Sequence, residues 1–382
     1  MRASVLSAAT VAALVGYAAS VAILLAAATA LGATPAQTAS WLLAISLGKA
    51  FGSALLSWRS KIPVVLAWST PGAALIAATS GISFAEGVGA FIVAGLLIAA
   101  TGLIRPLGAL VARIPDGIAA GMLAGVLLPF CLKGAIAAQS LPTLVLPMVA
   151  VFLVVRLWNP AVATLAAFAT GIVLALFTGA DLSTLRLSTP LLTFTAPEFR
   201  PGVILGLGLP LYLVTMASQN LPGFATLRAA GYEPPVSAAL TTTGLISTVT
   251  ALFGAHTVSM AAITAAICLG PDVHPDKDRR WIVGIAYAGV WVLLGLLSPT
   301  VLQLLAALPT PVVASLVALA LLGPLMGAMT AAFAQADQRL PATLTLVTTA
   351  SGMAAFGIGA AFWGLVVGLI VWGLEHARPR RV

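Results

Sequence analysis

Apolar segments of membrane-spanning length follow one another from about residue 4 to residue 375, with only short polar interruptions. Inside hydrocarbon every backbone N–H and C=O must find its partner within the protein, which leaves helices and closed barrels as the only spanning structures. Apolar runs of helix length select the first. With 60% hydrophobic and 7% charged residues and a mean hydropathy of +1.10, no soluble core needs so much apolar surface. The chain therefore reads as an all-α polytopic membrane protein.

Pro, Gly and charge punctuation divides it into about fourteen spans. Their limits are 4–31, 36–57, 63–79, 85–110, 115–136, 141–157 and 160–178, then 201–225, 235–253, 255–270, 280–298, 310–334, 341–355 and 358–375. Met1-Arg2 ahead of an apolar run resembles a signal peptide, but the run to Leu31 is too long, so it is expected to stay as the first helix. The segment from Ser298 to Pro309 is expected to be a partly interfacial helix, and Ala180 to Arg200 divides the halves. The net charge of +8 is spread singly over short loops, which does not suggest a nucleic-acid partner. Cys131 and Cys268 stand in apolar runs without redox or metal spacing, so neither a disulfide, a metal nor another cofactor is expected.

Two stretches break the pattern at membrane depth. Pro63-Val64-Val65-Leu66-Ala67-Trp68-Ser69-Thr70-Pro71-Gly72 and Phe253-Gly254-Ala255-His256-Thr257-Val258-Ser259-Met260-Ala261 each read as an extended run leading into a short Ala-rich helix. Paired interrupted spans in the two halves of a chain are the sequence pointer to a transporter's central binding site. Such backbone is tolerated only where it is buried in protein or lines a cavity. The freed N–H groups at a helix start suit an anion.

The halves repeat. Gly102-Leu103-Ile104-Arg105-Pro106 resembles Gly295-Leu296-Leu297-Ser298-Pro299; Ile114-Pro115-Asp116-Gly117 resembles Leu308-Pro309-Thr310-Pro311; Leu128-Pro129 echoes Gly323-Pro324. Seven spans per half is odd, so the repeat must be inverted, with the third and tenth spans broken. Placing the N-terminus inside puts Arg2, Arg59, Lys61, Arg105, Arg113, Arg156, Arg228, Lys277, Arg279, Arg280, Arg339, Arg378, Arg380 and Arg381 inside, 14 of the 18 basic residues. Only Lys133, Arg186 and Arg200 fall outside, and Lys49 lies within span two. Both termini are expected to be cytoplasmic.

The two broken stretches, together with Arg113-Ile114-Pro115-Asp116-Gly117-Ile118-Ala119-Ala120-Gly121-Met122 and Ala217-Ser218-Gln219-Asn220-Leu221-Pro222-Gly223, resemble the bacterial benzoate/proton symporter family over most of the chain. In fold that family is similar to the nucleobase/proton symporters and to the sulfate-permease and anion-exchanger group. The resemblance implies a core domain from residues 1–110 and 201–298 and a gate domain from 111–180 and 299–382. It also implies a homodimer through the gate, a bacterial inner-membrane location, and a substrate held between the third and tenth spans. Nucleobase transporters carry an acidic residue in the eighth span and usually another in the tenth. Here Ser218-Gln219-Asn220 and His256-Thr257 stand there, which fits an anionic cargo and leaves proton coupling without an acidic carrier.

His256 is the one histidine at expected membrane depth, where an ionisable group is costly and functional by default. Imidazole titrates near neutrality, so His256 is the expected proton-coupling residue and a partner for a carboxylate; hydrogen bonding to backbone at the break is its plainer role. Gln219 and Asn220 must face protein or a cavity. Adjacent helical positions diverge by about 100°, so only one of them need reach a ligand. Ser218 is a weaker candidate, as is Met216. Ser69, Thr70 and Gly72 flank the first break and Thr257, Ser259 and Met260 the second, as carboxylate ligands or as caps. Tyr17 and Trp68 are candidates for stacking on an aromatic ring, against simple packing. Lys49 is expected to snorkel toward Trp58 and Arg59, Asp116 to favour a helix start, Glu86 to lie at the outer surface, and Asp272 to Arg280 to form a solvated loop.

Composition and spacing argue for a secondary transporter with an anion site; the resemblance implies that it imports an aromatic carboxylate, most of all benzoate, with protons. Alternatives are another small anion or a nucleobase-like ring, or an anion channel. No nucleophile–base pair, HExxH or phosphate loop points to an enzyme.

Overall fold

The computed structural model describes residues 2–18, 20–104, 114–160, 162–179, 185–356 and 358–377. The Arg105-Pro106 limb of the repeat, Arg113, the first residues of the 180–200 connection, and Arg378, Arg380 and Arg381 lie outside them.

Helices α1 (Ala3–Ala18) and α2 (Val21–Ala30) open the chain. Helix α3 (Pro35–Ser60) starts on a capping box, Thr34 with Gln37, and stops where Lys61 turns left-handed. Strand β1 (Leu66–Trp68) leads into the short α4 (Thr70–Ala77). Helix α5 (Phe84–Leu103) begins on a second capping box, Ser83 with Glu86. Glu86 is thus not a free surface carboxylate: it also pairs with Arg200 at 3.1 Å and is 9% exposed. Helices α6 (Asp116–Ser140), α7 (Pro142–Trp158) and α8 (Ala163–Phe177) complete the first half.

The second half begins with α9 (Pro201–Ala229), whose α-helical run contains two π turns, Ile204–Gly208 and Met216–Asn220. Pro210 and Pro222 follow these turns, and each lacks the N–H that the carbonyl four residues back would accept, so the local turn widens. Helix α10 (Val236–Ala251), strand β2 (Val258–Met260), the short α11 (Ile263–Leu269) and α12 (Ile282–Leu296) follow. The chain ends with α13 (Ser298–Ala307), α14 (Thr310–Ala332), α15 (Arg339–Ala350) and α16 (Ala360–Ala377). Among the described residues seven helical stretches are long and apolar enough to cross a membrane, and shorter apolar helices lie between them.

The repeat is visible in backbone geometry. Pro115 precedes α6 at φ −57, ψ 132, and Pro309 precedes α14 at φ −56, ψ 138. Pro129 and Pro324 then lie inside those two helices.

Packing falls into two groups. In one, α3 lies on α12, α5 on α10, α1 on α12 and α11, and α2 on α4. In the other, α6 lies along α14 and α15, α15 along α16, and α7 along α8. Small residues let the backbones approach. A Cβ added at Gly121 of α6 would stand 2.5 Å from the Ala342 carbonyl oxygen of α15, and one at Gly244 of α10 would stand 2.6 Å from the Gly95 carbonyl oxygen of α5.

Candidate functional site

The two breaks meet. Strands β1 and β2 pair antiparallel, with Leu66 opposite Met260, Ala67 opposite Ser259 and Trp68 opposite Val258. The pairing is extended by Ser69 N–H to Thr257 O (3.0 Å) and Ala261 N–H to Val65 O (3.2 Å). The outer edges of this two-stranded sheet would be orphaned at membrane depth, and side chains of neighbouring helices close them. On α3, Ser53 Oγ accepts from Leu66 N–H (3.0 Å), and Ser57 Oγ accepts from Val64 N–H (3.0 Å). On α10, Ser247 Oγ accepts from Val258 N–H (2.8 Å); on α9, Asn220 Oδ1 accepts from Met260 N–H (2.9 Å). Tyr287 of α12 donates its hydroxyl to the Leu66 carbonyl (3.0 Å).

Beside this crossing stands an aromatic cluster around one cation. Trp68 and Trp291 lie edge to face with centroids 5.1 Å apart, and Tyr17 packs on both, at 5.8 and 5.7 Å. Lys49 Nζ lies 2.9 Å from the Trp291 ring centroid and 3.6 Å from that of Trp68. Lys49 is 1% exposed, and no carboxylate is within ion-pair distance of it among the described residues. The expected snorkel toward Trp58 and Arg59 is therefore corrected. The Lys49 side chain turns inward onto the two indole faces, and Trp291 comes from the opposite half of the chain.

A cavity of about 630 Å³ opens onto this cluster, within the size range of small-molecule sites. Lys49, Trp68, Tyr287 and Trp291 form its aromatic, cationic end. Its other walls are the start of α6 from Asp116 to Leu123, the α9 segment from Val214 to Pro222, and the last turns of α14 from Ala320 to Ala331. Most of that surface is Ala, Gly, Pro, Val and Leu. Asp116 is its one carboxylate, and it sits at the first residue of α6.

Of the twelve residues expected to bind substrate, four line this cavity: Trp68, Thr70, Ser218 and Gln219. Trp68 donates its indole N–H to Ser20 Oγ (2.6 Å), which fixes its ring, and Ser218 Oγ donates to the Val214 carbonyl (2.5 Å). The other eight do not border this cavity and stand in the surrounding protein. Tyr17 lies against Trp68 and Trp291, its buried hydroxyl without a hydrogen-bond partner. Ser69 Oγ caps α4 by accepting from Gly72 N–H (3.1 Å), so both residues serve the cap. The Thr257 and Thr215 hydroxyls bond each other (2.8 Å), Ser259 Oγ reaches the Ala67 carbonyl (3.4 Å), and Met260 is held by Asn220.

His256 is fully buried between the breaks. Its Nδ1 accepts from the Trp41 indole N–H (3.0 Å), and its Nε2 bonds the Ser69 carbonyl (3.1 Å). An acceptor Nδ1 with a donor Nε2–H is neutral imidazole. A proton added at Nδ1 would face the Trp41 donor, so in this arrangement the ring serves as a neutral tie between α3 and the two breaks. Among the polar and aromatic residues lining the cavity, the sequence reading passed over Trp291, Tyr287, Ser20 and Thr264. Trp291 carried the available signal: an indole deep inside an apolar span, where tryptophan more often sits at the interface.

A second cavity of about 550 Å³ lies beyond α4 and α6. Thr70 and Pro71 of α4 face the first cavity, and Leu75 and Ala77 face the second. On α6 the change falls between Leu123 and Gly125. Lys133 and Arg200 stand in the second cavity, whose opposite wall is the segment from Thr349 to Ala361.

The architecture is shared with solved transporters. The chain superposes on the transmembrane domain of a cyanobacterium bicarbonate transporter, BicA, with a TM-score of 0.61 at 15% identity, covering 96% of this chain and 97% of that one. It superposes on murine solute carrier 26 family member A9, an anion transporter in the inward-facing state, with a TM-score of 0.61 at 12% identity, covering 98% and 69%. In sequence it is 41% identical over 358 residues to the inner membrane protein YdcO of Escherichia coli (strain K12), 93% of this chain and 91% of that one. It is 38% identical over 336 residues to the benzoate membrane transport protein of Acinetobacter baylyi, 87% of this chain and 85% of that one. The family model described as benzoate membrane transport protein matches residues 1–374. The benzoate membrane transport protein and the superposed structures are transporters and not enzymes, and the chain belongs to the benzoate membrane transport protein family.

Proposed function

We propose that this chain imports an aromatic carboxylate, benzoate foremost, together with protons across the bacterial inner membrane by alternating access. The observation that carries the reading is Lys49, a buried lysine whose Nζ stands against two indole faces in an apolar cavity, with no carboxylate in ion-pair distance among the described residues. An aromatic ring fits the Trp68 and Trp291 faces and the apolar walls, and its carboxylate supplies the counter-charge that Lys49 lacks. Gln219 and Thr70, both on the cavity, offer hydrogen bonds to the same carboxylate. The 38% identical relative whose name is benzoate membrane transport protein favours benzoate within this class.

In this reading residues 1–110 and 201–298 form a core that carries the cargo against a gate of residues 111–180 and 299–382, and the gate also forms a homodimer. Support comes from the two packing groups and from the cavities on opposite sides of α4 and α6. Arg2, Arg59, Lys61, Arg228, Lys277, Arg279, Arg280 and Arg339 stand on loops assigned to one end of the spans in this reading. The positive-inside rule makes that end cytoplasmic, with both termini.

The test is uptake of labelled benzoate into proteoliposomes under an inward-acid pH gradient, with protein-free liposomes as control because neutral benzoic acid crosses bilayers unaided. Protein-dependent accumulation that a protonophore abolishes is the expected result. Absence of protein-dependent benzoate flux, alongside uptake of an inorganic anion or a nucleobase, would overturn the cargo.

A further inference from the structure

We infer that Lys49 carries the coupled proton: it takes up a proton together with the carboxylate and returns empty as a neutral amine. The inference rests on the reading of the cavity as an aromatic-carboxylate site. It begins from an imbalance. An ammonium withdrawn from water loses hydration that only a counter-charge restores well, and at Lys49 two indole faces offset only part of that loss. The salt bridges among the described residues, Glu86 with Arg200 and Asp276 with Arg279, lie elsewhere.

The titratable groups around Lys49 do not supply the missing charge. Tyr17 on α1 packs on both indoles with its hydroxyl unpartnered. Tyr287 on α12 donates its hydroxyl to the Leu66 carbonyl. Cys268 on α11 is a buried free thiol. His256, which lies within electrostatic reach of Lys49, has both ring nitrogens engaged. Asp116, at the start of α6, lines the same cavity but is exposed and makes no ion pair with Lys49. A carboxylate that enters is therefore the natural partner of the charged lysine.

Proton and anion then favour each other's binding, and by linkage each raises the affinity for the other by the same factor. The balance is simple. The amine lone pair binds a proton, the ammonium pairs with the carboxylate, and after release of the anion to the cytoplasm the N–H bond gives its proton back to water. Loaded and empty forms of the site are both neutral. Neither conformational change moves net charge through the membrane field, so the pH gradient and not the voltage drives accumulation.

Proton uptake on binding reads this directly. Purified full-length chain in weak buffer is titrated with benzoate, an anion at this pH, while an indicator dye follows the medium and calorimetry follows binding. Linkage predicts uptake of about one proton per benzoate bound near pH 8. Lys49→Arg keeps a cation that does not shed its proton. It is expected to bind benzoate and to support benzoate exchange, without proton uptake and without accumulation against a gradient. His256→Gln is expected to take up the proton as the unmodified chain does. Benzoate binding without proton uptake in the unmodified chain, undiminished uptake in Lys49→Arg, or loss of uptake in a folded His256→Gln that still binds benzoate each overturns the assignment. A chain that binds no benzoate at all overturns the cargo reading and this assignment with it.

Discussion

Trp41 donates to Nδ1 of His256, and Nε2 of the same ring bonds the Ser69 carbonyl, so one neutral imidazole ties α3 and both breaks together. Trp41→Phe removes the donor and leaves Nδ1 buried without one, at a cost of about 1–3 kcal/mol. The expected outcome is a lower unfolding temperature in detergent with unchanged proton uptake per benzoate; altered uptake with unchanged stability would contradict the pinning role. Gln219 and Asn220 divide in the same way. Asn220 Oδ1 holds the Met260 N–H, whereas Gln219 faces the cavity. Asn220→Ala should lower thermal stability, again by about 1–3 kcal/mol. Gln219→Ala should leave stability nearly intact and weaken benzoate binding several-fold, about 1 kcal/mol for one hydrogen bond. Equal effects of the two substitutions on both readouts would contradict this division. At this scale the sequence points to the right neighbourhood and not to the orientation. The π turn Met216–Asn220 decides which amide faces the cavity, and no residue pattern announces that turn apart from Pro222. Lys49 was legible as an intramembrane cation, but its partner Trp291 comes from the other half, and only the tertiary fold brings the two together.

The broken spans were legible as elements because β-branched and proline-flanked runs interrupt an apolar chain. Their pairing into one antiparallel sheet was not, since register is a contact between halves. Nor was the way the sheet's edges are closed. A serine inside an apolar helix reads as unremarkable polarity, yet Ser53 and Ser247 each accept from a strand N–H, and Ser57 accepts from Val64 N–H just ahead of β1. The signal present was spacing: Ser53 and Ser57 lie four apart on one face of α3. Ser53→Ala or Ser247→Ala should leave Leu66 or Val258 N–H orphaned where no water replaces the bond, at about 1–3 kcal/mol each. Thermal unfolding in detergent and amide exchange at the two strands check this. An unchanged unfolding temperature in both variants would mean that the edges find other partners.

At the scale of the whole molecule, the three repeated motifs and the basic-residue bias foreshadow two related halves, but a cavity belongs to surfaces that face each other, and sequence does not say which do. The first cavity ends on Thr70 and Pro71 of α4 and on Leu123 of α6; the second begins on Leu75 and Gly125 of the same helices. No more than about one helical turn therefore separates the two, and in the proposed alternating access a small slide of one packing group past the other would exchange which is sealed. Ala331 of α14 lines the first cavity and Ser351, just past α15, lines the second, so each reports one side. With Cys131 and Cys268 replaced, Ala331→Cys should react with a membrane-impermeant thiol reagent from the cytoplasmic side, and Ser351→Cys from the outer side. The two accessibilities should change in opposite directions when benzoate and a pH gradient are applied, because opening one cavity narrows the other. A pore would behave otherwise: both cysteines would gain reactivity together in a conducting state. Opposite changes separate a carrier from a channel, and parallel changes would remove alternating access as the mechanism.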